Sequence, residues 1–315
     1  MNNRRSFIVG IKSIKLSVKE KNFLKKYKPW GVILFTRNIK SIKQCSKLTA
    51  SIRKIFNDKK YPILIDQEGG RVNRLKNVIS FDNLTSEFFG DKYVKNFKEF
   101  KFFFRLFVDK TSYLLKLIGA NINTVPVLDL RRKGASNIIG DRSFSKNPLI
   151  VSKIGDYCIK YFHENGIGTT IKHIPGHGLA QVDSHFFTPT INKKKNFLFK
   201  KDFFTFKNKK SFFAMTAHII FNQIDNKNTV THSKKMIQII RNNIGYKNIL
   251  ISDDLSMKSL KGTLREKTIK TFKAGCNLAL HCNGNFKEMQ IVGENSPLVN
   301  KFISKKTSQF YKILS

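Results

Sequence analysis

Short apolar runs rich in β-branched residues alternate along the chain with longer amphipathic stretches. The short runs read as strands: Phe7 to Ile11, Gly31 to Phe35, Pro62 to Ile65, Ile122 to Leu128, Thr169 to Lys172, Phe212 to Ala217, Ile249 to Ile251 and Leu278 to Leu280. Pro126 demotes the middle of the fourth. Helix-length stretches lie between them: Val18 to Lys26, Ile42 to Ile55, Phe97 to Leu117, Ile150 to Glu164, Lys234 to Asn243 and Arg265 to Ala274. Strands alternating with helices predict parallel βαβ units. Eight such strands predict an α/β fold of the TIM-type (β/α)8 barrel kind, with a doubly wound open sheet as the alternative. With no internal repeat and no Gly/Ser linker, residues 1–315 are expected to form a single barrel domain.

Most of the strand candidates run into polar or Gly-rich segments, and in such barrels active sites gather at the C-terminal ends of the strands. The richest segment is Lys172-His173-Ile174-Pro175-Gly176-His177-Gly178, continuing to Asp183-Ser184-His185. Its proline and glycines predict an irregular loop. Asp183 can hold and charge-tune the His185 ring, which could then give a proton to a leaving oxygen and later take one from water. Asp253 and Asp254 follow another strand. Neighbouring carboxylates repel, so one is expected to face a site and the other a helix N-terminus or a cation. In the plainer reading both cap the next helix. A carboxylate at a barrel strand end can attack an acetal carbon.

Asp66-Gln67-Glu68-Gly69-Gly70-Arg71, with Arg74 beyond, could clasp sugar hydroxyls through charge-assisted hydrogen bonds. The glycine pair permits a positive φ or a close backbone approach. Phosphate is a weaker fit without P-loop spacing. Arg142, taken alone, reads as a surface ion pair, and Lys172, taken alone, as a solvated amine. His163 and His232 read as structural hydrogen-bond formers. His173, His177, Asp183 and His185 are all chemically able to bind a metal. Their spacing matches no helical zinc motif, and Lys172 beside them opposes a cation.

Composition adds a large basic excess: 59 Lys and Arg against 21 Asp and Glu, a formal net charge of +38. The lysines are scattered (Lys59-Lys60, Lys193 to Lys195, Lys209-Lys210) and form no single stripe, so a specific nucleic-acid partner is not expected. Weak, salt-sensitive attraction to anionic partners is. Hydrophobic content of 41%, with 29 phenylalanines, supports a large core. Cys45, Cys158, Cys276 and Cys282 show no C-x-x-C spacing and are expected as free thiols. The apolar run after Met1-Asn2-Asn3-Arg4-Arg5 is too short for a signal peptide, and no stretch approaches a transmembrane helix. The expectation is a cytoplasmic, soluble monomer with no membrane partner.

Together these motifs resemble the bacterial β-N-acetylhexosaminidases of glycoside hydrolase family 3, of the single-domain, peptidoglycan-recycling type. The matching stretches run in family order: Gly31 to Asn38, Asp66 to Arg74, Pro126 to Asp129, Ile139 to Phe144, Lys172 to His185, Met215 to His218 and Ser252 to Met257. The K-H-x-P-G-H-G…D-S-H loop together with S-D-D-L-S-M is the specific signal. Ile174 stands where the family usually has an aromatic residue, and the segment after Asn283 matches weakly. The resemblance implies a TIM-type barrel with Asp253 as nucleophile and His185 as general acid/base paired with Asp183. It implies that Asp66, Arg74, Arg142, Lys172 and His173 bind the N-acetylglucosamine unit, with no metal or other cofactor. The substrate it implies is a carbohydrate, the cytoplasmic N-acetylglucosaminyl-1,6-anhydro-muropeptide. The alternatives are glycosyl transfer to phosphate or another sugar on the same scaffold, and a basic nucleic-acid-binding protein on a retired enzyme scaffold.

Overall fold

The computed structural model describes residues 3–132 and 134–314. The strands are β1 (Arg5–Gly10), β2 (Pro29–Leu34), β3 (Ile63–Ile65), β4 (Ile122–Asn123), β5 (Gly168–Ile174), β6 (Thr190–Ile191), β7 (Phe213–Thr216), β8 (Ile220–Phe221), β9 (Ile249–Asp254) and β10 (Leu278–His281). The helices are α1 (Val18–Tyr27), α2 (Ile42–Phe56), α3 (Ser86–Lys95), α4 (Phe97–Ile118), α5 (Pro148–Glu164), α6 (Lys195–Lys200), α7 (Lys234–Asn242), α8 (Leu264–Ala274), α9 (Phe286–Glu294) and α10 (Lys301–Tyr311). Eight strands close into a parallel barrel in the order β1-β10-β9-β7-β5-β4-β3-β2, so the open-sheet alternative is excluded. The first and last strands meet, with Phe7 opposite Ala279 and Ile8 opposite Leu280. β6 and β8 form a small parallel pair outside the barrel.

Side chains alternate across each strand, which divides the core into two shells. Ile8, Ile33, Leu64, Ile122, Met215 and Ile251 fill the barrel interior. Phe7, Val9, Val32, Ile63 and Leu250 belong to the larger cluster shared with the helices. Side-chain caps start most helices; Ser17 with Glu20 and Thr263 with Glu266 form full capping boxes.

Helix α10 covers the N-terminal mouth of the barrel. Phe310 packs on Phe213 at 5.4 Å, and Phe213 on Trp30 at 5.4 Å. The Trp30 indole donates to Thr307 Oγ1 at 2.9 Å. A Cβ on Gly168 would meet the Phe310 ring at 2.6 Å, so the strand needs glycine there. The bottom of the barrel is therefore plugged, and the polar strand ends lie at the opposite mouth.

The strand boundaries differ from expectation in a useful way. β4 covers only Ile122–Asn123, because Pro126 has no N–H for the ladder; pairing resumes once, between Val127 and Lys172. β5 extends to Ile174 and β9 to Asp254. Lys172 stands near a strand end as expected, and His173, Asp253 and Asp254 also stand on rigid strand ends instead of in loops. Helices α3, α6, α9 and α10 were not legible in the hydrophobic pattern.

Candidate active site

A carboxylate–cation network forms the floor. Lys172 Nζ lies 2.9 Å from Asp66 Oδ1 and 2.6 Å from Glu68 Oε1, and donates to Thr124 Oγ1 at 3.0 Å. The Thr124 hydroxyl also donates to Asp66. Arg142 grips Glu68 with both arms of its guanidinium, Nε to Oε2 at 2.8 Å and Nη2 to Oε1 at 2.9 Å. Arg74 Nη2 reaches Asp66 Oδ2 at 3.4 Å. Lys172 is 2% exposed, so it is not a solvated amine. Arg142 is likewise not a surface ion pair, its side chain being 13% exposed. Gly69 and Gly70 hold φ of 96° and 55°, and a Cβ on Gly69 would lie 2.3 Å from the Leu84 carbonyl. Only glycines let this loop fold back.

Charge decides the protonation of the floor. Burial raises the Asp66 pKa, but Lys172 and Arg74 outweigh it and hold the carboxyl far below the usual range. Burial likewise opposes Glu68, yet Arg142 and Lys172 bring it down to about 2 from an ordinary 4.5. A depressed carboxylate contributes stability that is present above its ordinary pKa and lost as pH falls through the folded value. Glu68→Gln is therefore expected to lower Tm at pH 7, with the gap narrowing as pH falls from about 5 towards 2. Thermal melts of both proteins across that range check this; a constant gap would refute the ionic origin.

Asp129, just beyond β4, is the organiser behind the histidine segment. It is buried and accepts from His173 Nδ1 at 2.7 Å, His173 N at 3.2 Å and His177 N at 2.6 Å. Burial raises its pKa, but His173 and His177 hold it below the usual range. With Nδ1 committed to Asp129, Nε2 is the His173 nitrogen left for a ligand. His177 contacts Ser184 Oγ through Nε2 at 2.9 Å, tying the catalytic loop to the barrel. Burial pushes the His177 pKa down to about 4, so the ring is neutral at pH 7. Two glycines let the segment run so close to its neighbours. Gly176 has φ of 141°, and a Cβ on Gly178 would lie 2.1 Å from the Leu130 carbonyl.

Asp183 and His185 meet as their spacing suggests. Asp183 Oδ1 accepts from both the backbone N–H (2.7 Å) and Nδ1 (2.8 Å) of His185. Burial raises the Asp183 pKa, but the His185 backbone N–H and ring bring it below normal. The His185 side chain is 59% exposed, with Nε2 left for proton transfer.

Asp253 is half-buried at the end of β9 and accepts the Asp254 N–H at 2.8 Å. Burial raises its pKa, but His218 and His173 hold it below the usual range, so it is ionised at neutral pH. His218 donates through Nε2 to the Asp254 carbonyl at 3.1 Å and contacts Thr231 Oγ1 through Nδ1 at 2.7 Å. Among the described residues Asp254 caps no helix, contrary to expectation, and the ring it faces, His281 with Nδ1 at 3.8 Å, has its pKa lowered by burial. Asp254 accepts from Ser256 N (3.0 Å), Ser256 Oγ (2.6 Å) and Cys282 N (3.1 Å), and so shapes the turn after the strand.

Asp66, Arg74, Arg142 and Lys172 line one cavity of about 180 Å³, together with His173, His185 and Asp253. Asp183 stands behind His185. Residues far apart in sequence therefore converge on one concave site holding an ionised carboxylate, an imidazole and a cluster of buried, paired charges. The donors of the metal alternative are engaged in separate pairs, His173 with Asp129, His177 with Ser184 and His185 with Asp183. Among the described residues no three His, Cys, Asp or Glu side chains converge as a cation would need. His163 and His232 are structural, bonded to Thr169 Oγ1 at 2.9 Å and the Lys267 carbonyl at 3.1 Å. Glu68, Asp129 and His218 were missed as site residues. Glu68 and Asp129 sit inside the motif-bearing segments, but nothing in their spacing tells a supporting carboxylate from a substrate-facing one.

The glycosyl hydrolase family 3 N-terminal domain matches residues 7–303. The β-hexosaminidase of Actinobacillus pleuropneumoniae serotype 3 is 34% identical over 288 residues, covering 88% of this chain and 80% of that protein. That of Haemophilus influenzae is 30% identical over 305 residues, covering 93% and 85%. The crystal structure of NagZ from Neisseria gonorrhoeae in complex with N-trifluoroacetyl-D-glucosamine superposes with a TM-score of 0.88 at 27% identity, over 98% of this chain and 90% of that one.

Proposed function

Because the chain belongs to glycosyl hydrolase family 3 and is a β-N-acetylhexosaminidase that removes N-acetylglucosamine by hydrolysis, we propose that it acts on 1,6-anhydro-muropeptides released from the cell wall. In this reading Asp253 attacks the anomeric carbon while His185 protonates the leaving oxygen. The covalent glycosyl-enzyme is then hydrolysed by water that His185 deprotonates, with retention of configuration. Asp183 keeps the His185 ring oriented and supports its protonated form. Asp66, Arg74, Arg142, Lys172 and His173 bind the sugar, with Glu68 and Asp129 fixing the cations and the His173 tautomer. No helix among the described residues is long and apolar enough to cross a membrane. The muropeptide reading carries with it a cytoplasmic location.

The observation that carries this reading is the shared cavity: Asp253 and His185, remote in sequence, line it together with Asp66 and Lys172. The test is the leaving-group dependence of His185→Ala. Proton donation is worth about 10²–10⁴-fold for a poor leaving group and little for an acidic phenol. The glycosylation step is expected to stay within about tenfold on a dinitrophenyl glycoside and to fall by about 10²-fold or more on a sugar leaving group. Pre-steady-state kinetics separates that step, and equal losses on both substrates would overturn the acid role. Running the assay in phosphate and looking for sugar phosphate distinguishes hydrolysis from transfer.

A further inference from the structure

The rim of the catalytic mouth on the β1–β2 side carries a second hollow, of about 510 Å³. It lies between the β1–α1 loop with α1 on one side and α2, as far as Ser51, on the other. Lys15, Lys21, Lys43 and Lys47 surround it, all exposed, and no carboxylate is among its lining residues. Ile14 and Leu48 give it an apolar wall. The loop forming one side is pinned: Asn38 Nδ2 donates to the Ile11 and Ser13 carbonyls at 3.0 and 2.9 Å, and Gln44 Nε2 to the Ile14 carbonyl at 2.6 Å. The lysines therefore project from a fixed frame.

The β1–α1 loop that forms one side of the hollow is tied to the wall of the active-site cavity through Arg37. Arg37 Nε donates to the Ile11 carbonyl at 3.0 Å, and its Nη2 donates to the carbonyl of Cys282, which lines the cavity. Arg74, also in the cavity wall, stacks on the Phe35 ring at 5.3 Å, and Arg37 contacts the same ring at 4.7 Å. Ammonium groups gathered without a counter-charge repel one another, and an anion relieves that repulsion. A basic cleft beside a catalytic site also raises the local concentration of anionic substrate.

We propose that this hollow seats the carboxylates of the substrate's leaving group, an acidic peptide carried on the released sugar. Lys15, Lys21, Lys43 and Lys47 are then specificity-determining residues for the anionic substrate. The inference rests on the muropeptide reading above, and names where the peptide half of that substrate binds.

The test replaces all four lysines with glutamine and uses three substrates. These are a neutral aryl N-acetyl-β-glucosaminide, the anhydro-muramyl disaccharide without peptide, and the same disaccharide carrying an acidic tripeptide. At low salt KM for the peptide-bearing substrate is expected to rise about tenfold or more, with kcat and both peptide-free substrates within about twofold. Raising salt from about 0.05 to 0.5 M should close the gap between wild type and variant, because exposed charges are then screened. A control removes equal charge elsewhere, with Lys95, Lys98, Lys101 and Lys110 of α3 and α4 changed to glutamine. An unchanged KM in the first variant, or an equal rise in the control, overturns the proposal. If wild type cleaves the aryl glycoside but neither disaccharide, the muropeptide reading fails. Titration with the free acidic tripeptide then still decides the hollow, since loss of binding only in the first variant supports it and equal binding overturns it.

Discussion

Asp253→Ala is expected to lower kcat on an aryl N-acetyl-β-glucosaminide by about 10⁴-fold or more, some 5 kcal/mol of barrier, while the fold persists. The residue is half-buried, and the one hydrogen bond its side chain makes among the described residues comes from the adjacent Asp254 N–H in β9. What the substitution removes is a carboxylate held ionised against burial by His218 and His173. That charge is wanted by an oxocarbenium-like centre, and alanine leaves neither nucleophile nor counter-charge. The vacated space should admit azide, which attacks from the opening Asp253 leaves and gives a glycosyl azide of inverted configuration. A variant within tenfold of wild-type kcat would falsify the assignment. So would a rescued product of retained configuration.

Lys172→Met should produce the largest loss of stability in the site. The lysine lies between Asp66 and Glu68 and is 2% exposed. Removing one partner from a buried ionic cluster leaves uncompensated charge, which typically costs about 3–5 kcal/mol. For a chain of this size that is a Tm drop of roughly 5–10 °C. Adding Glu68→Gln to Lys172→Met should recover part of the loss, since the surplus negative charge is then smaller. Such non-additivity marks residues that share one network. A single variant melting within a degree of wild type, or a double variant whose losses simply add, would show that the cluster is not coupled as described.

The barrel was readable because its strands are short apolar runs that end in chemistry. Each candidate strand ends at one mouth, so polar segments scattered from Asp66 to Asp253 could be expected to meet. The exact end of β5 was not readable. Proline and glycine after Ile174 suggest that the strand stops at Lys172, but pairing with β7 carries it to Ile174. Helix α3 was hidden by Gly90, which looks like a breaker. It is there because a Cβ would overlap the Phe144 carbonyl at 1.6 Å. Helix α10 buries Ile303, Thr307 and Phe310, and a threonine in the middle of that stripe blurs the apolar period. Within the site, identity was easier to read than partnership. Lys172 and Arg142 were singled out as sugar binders, yet both are anchored by Glu68, whose part only three-dimensional pairing reveals.

The plug formed by α10 bears on how the polypeptide emerges from a ribosome. β1 must wait for β10 before the ring of strands can join, and Trp30 and Phe213 stay wet until Phe310 arrives. Contacts spanning nearly the whole sequence make assembly slow. Until α10 has been made, the barrel's bottom apolar layer is uncovered, and the dense positive charge would help keep such partly closed chains apart.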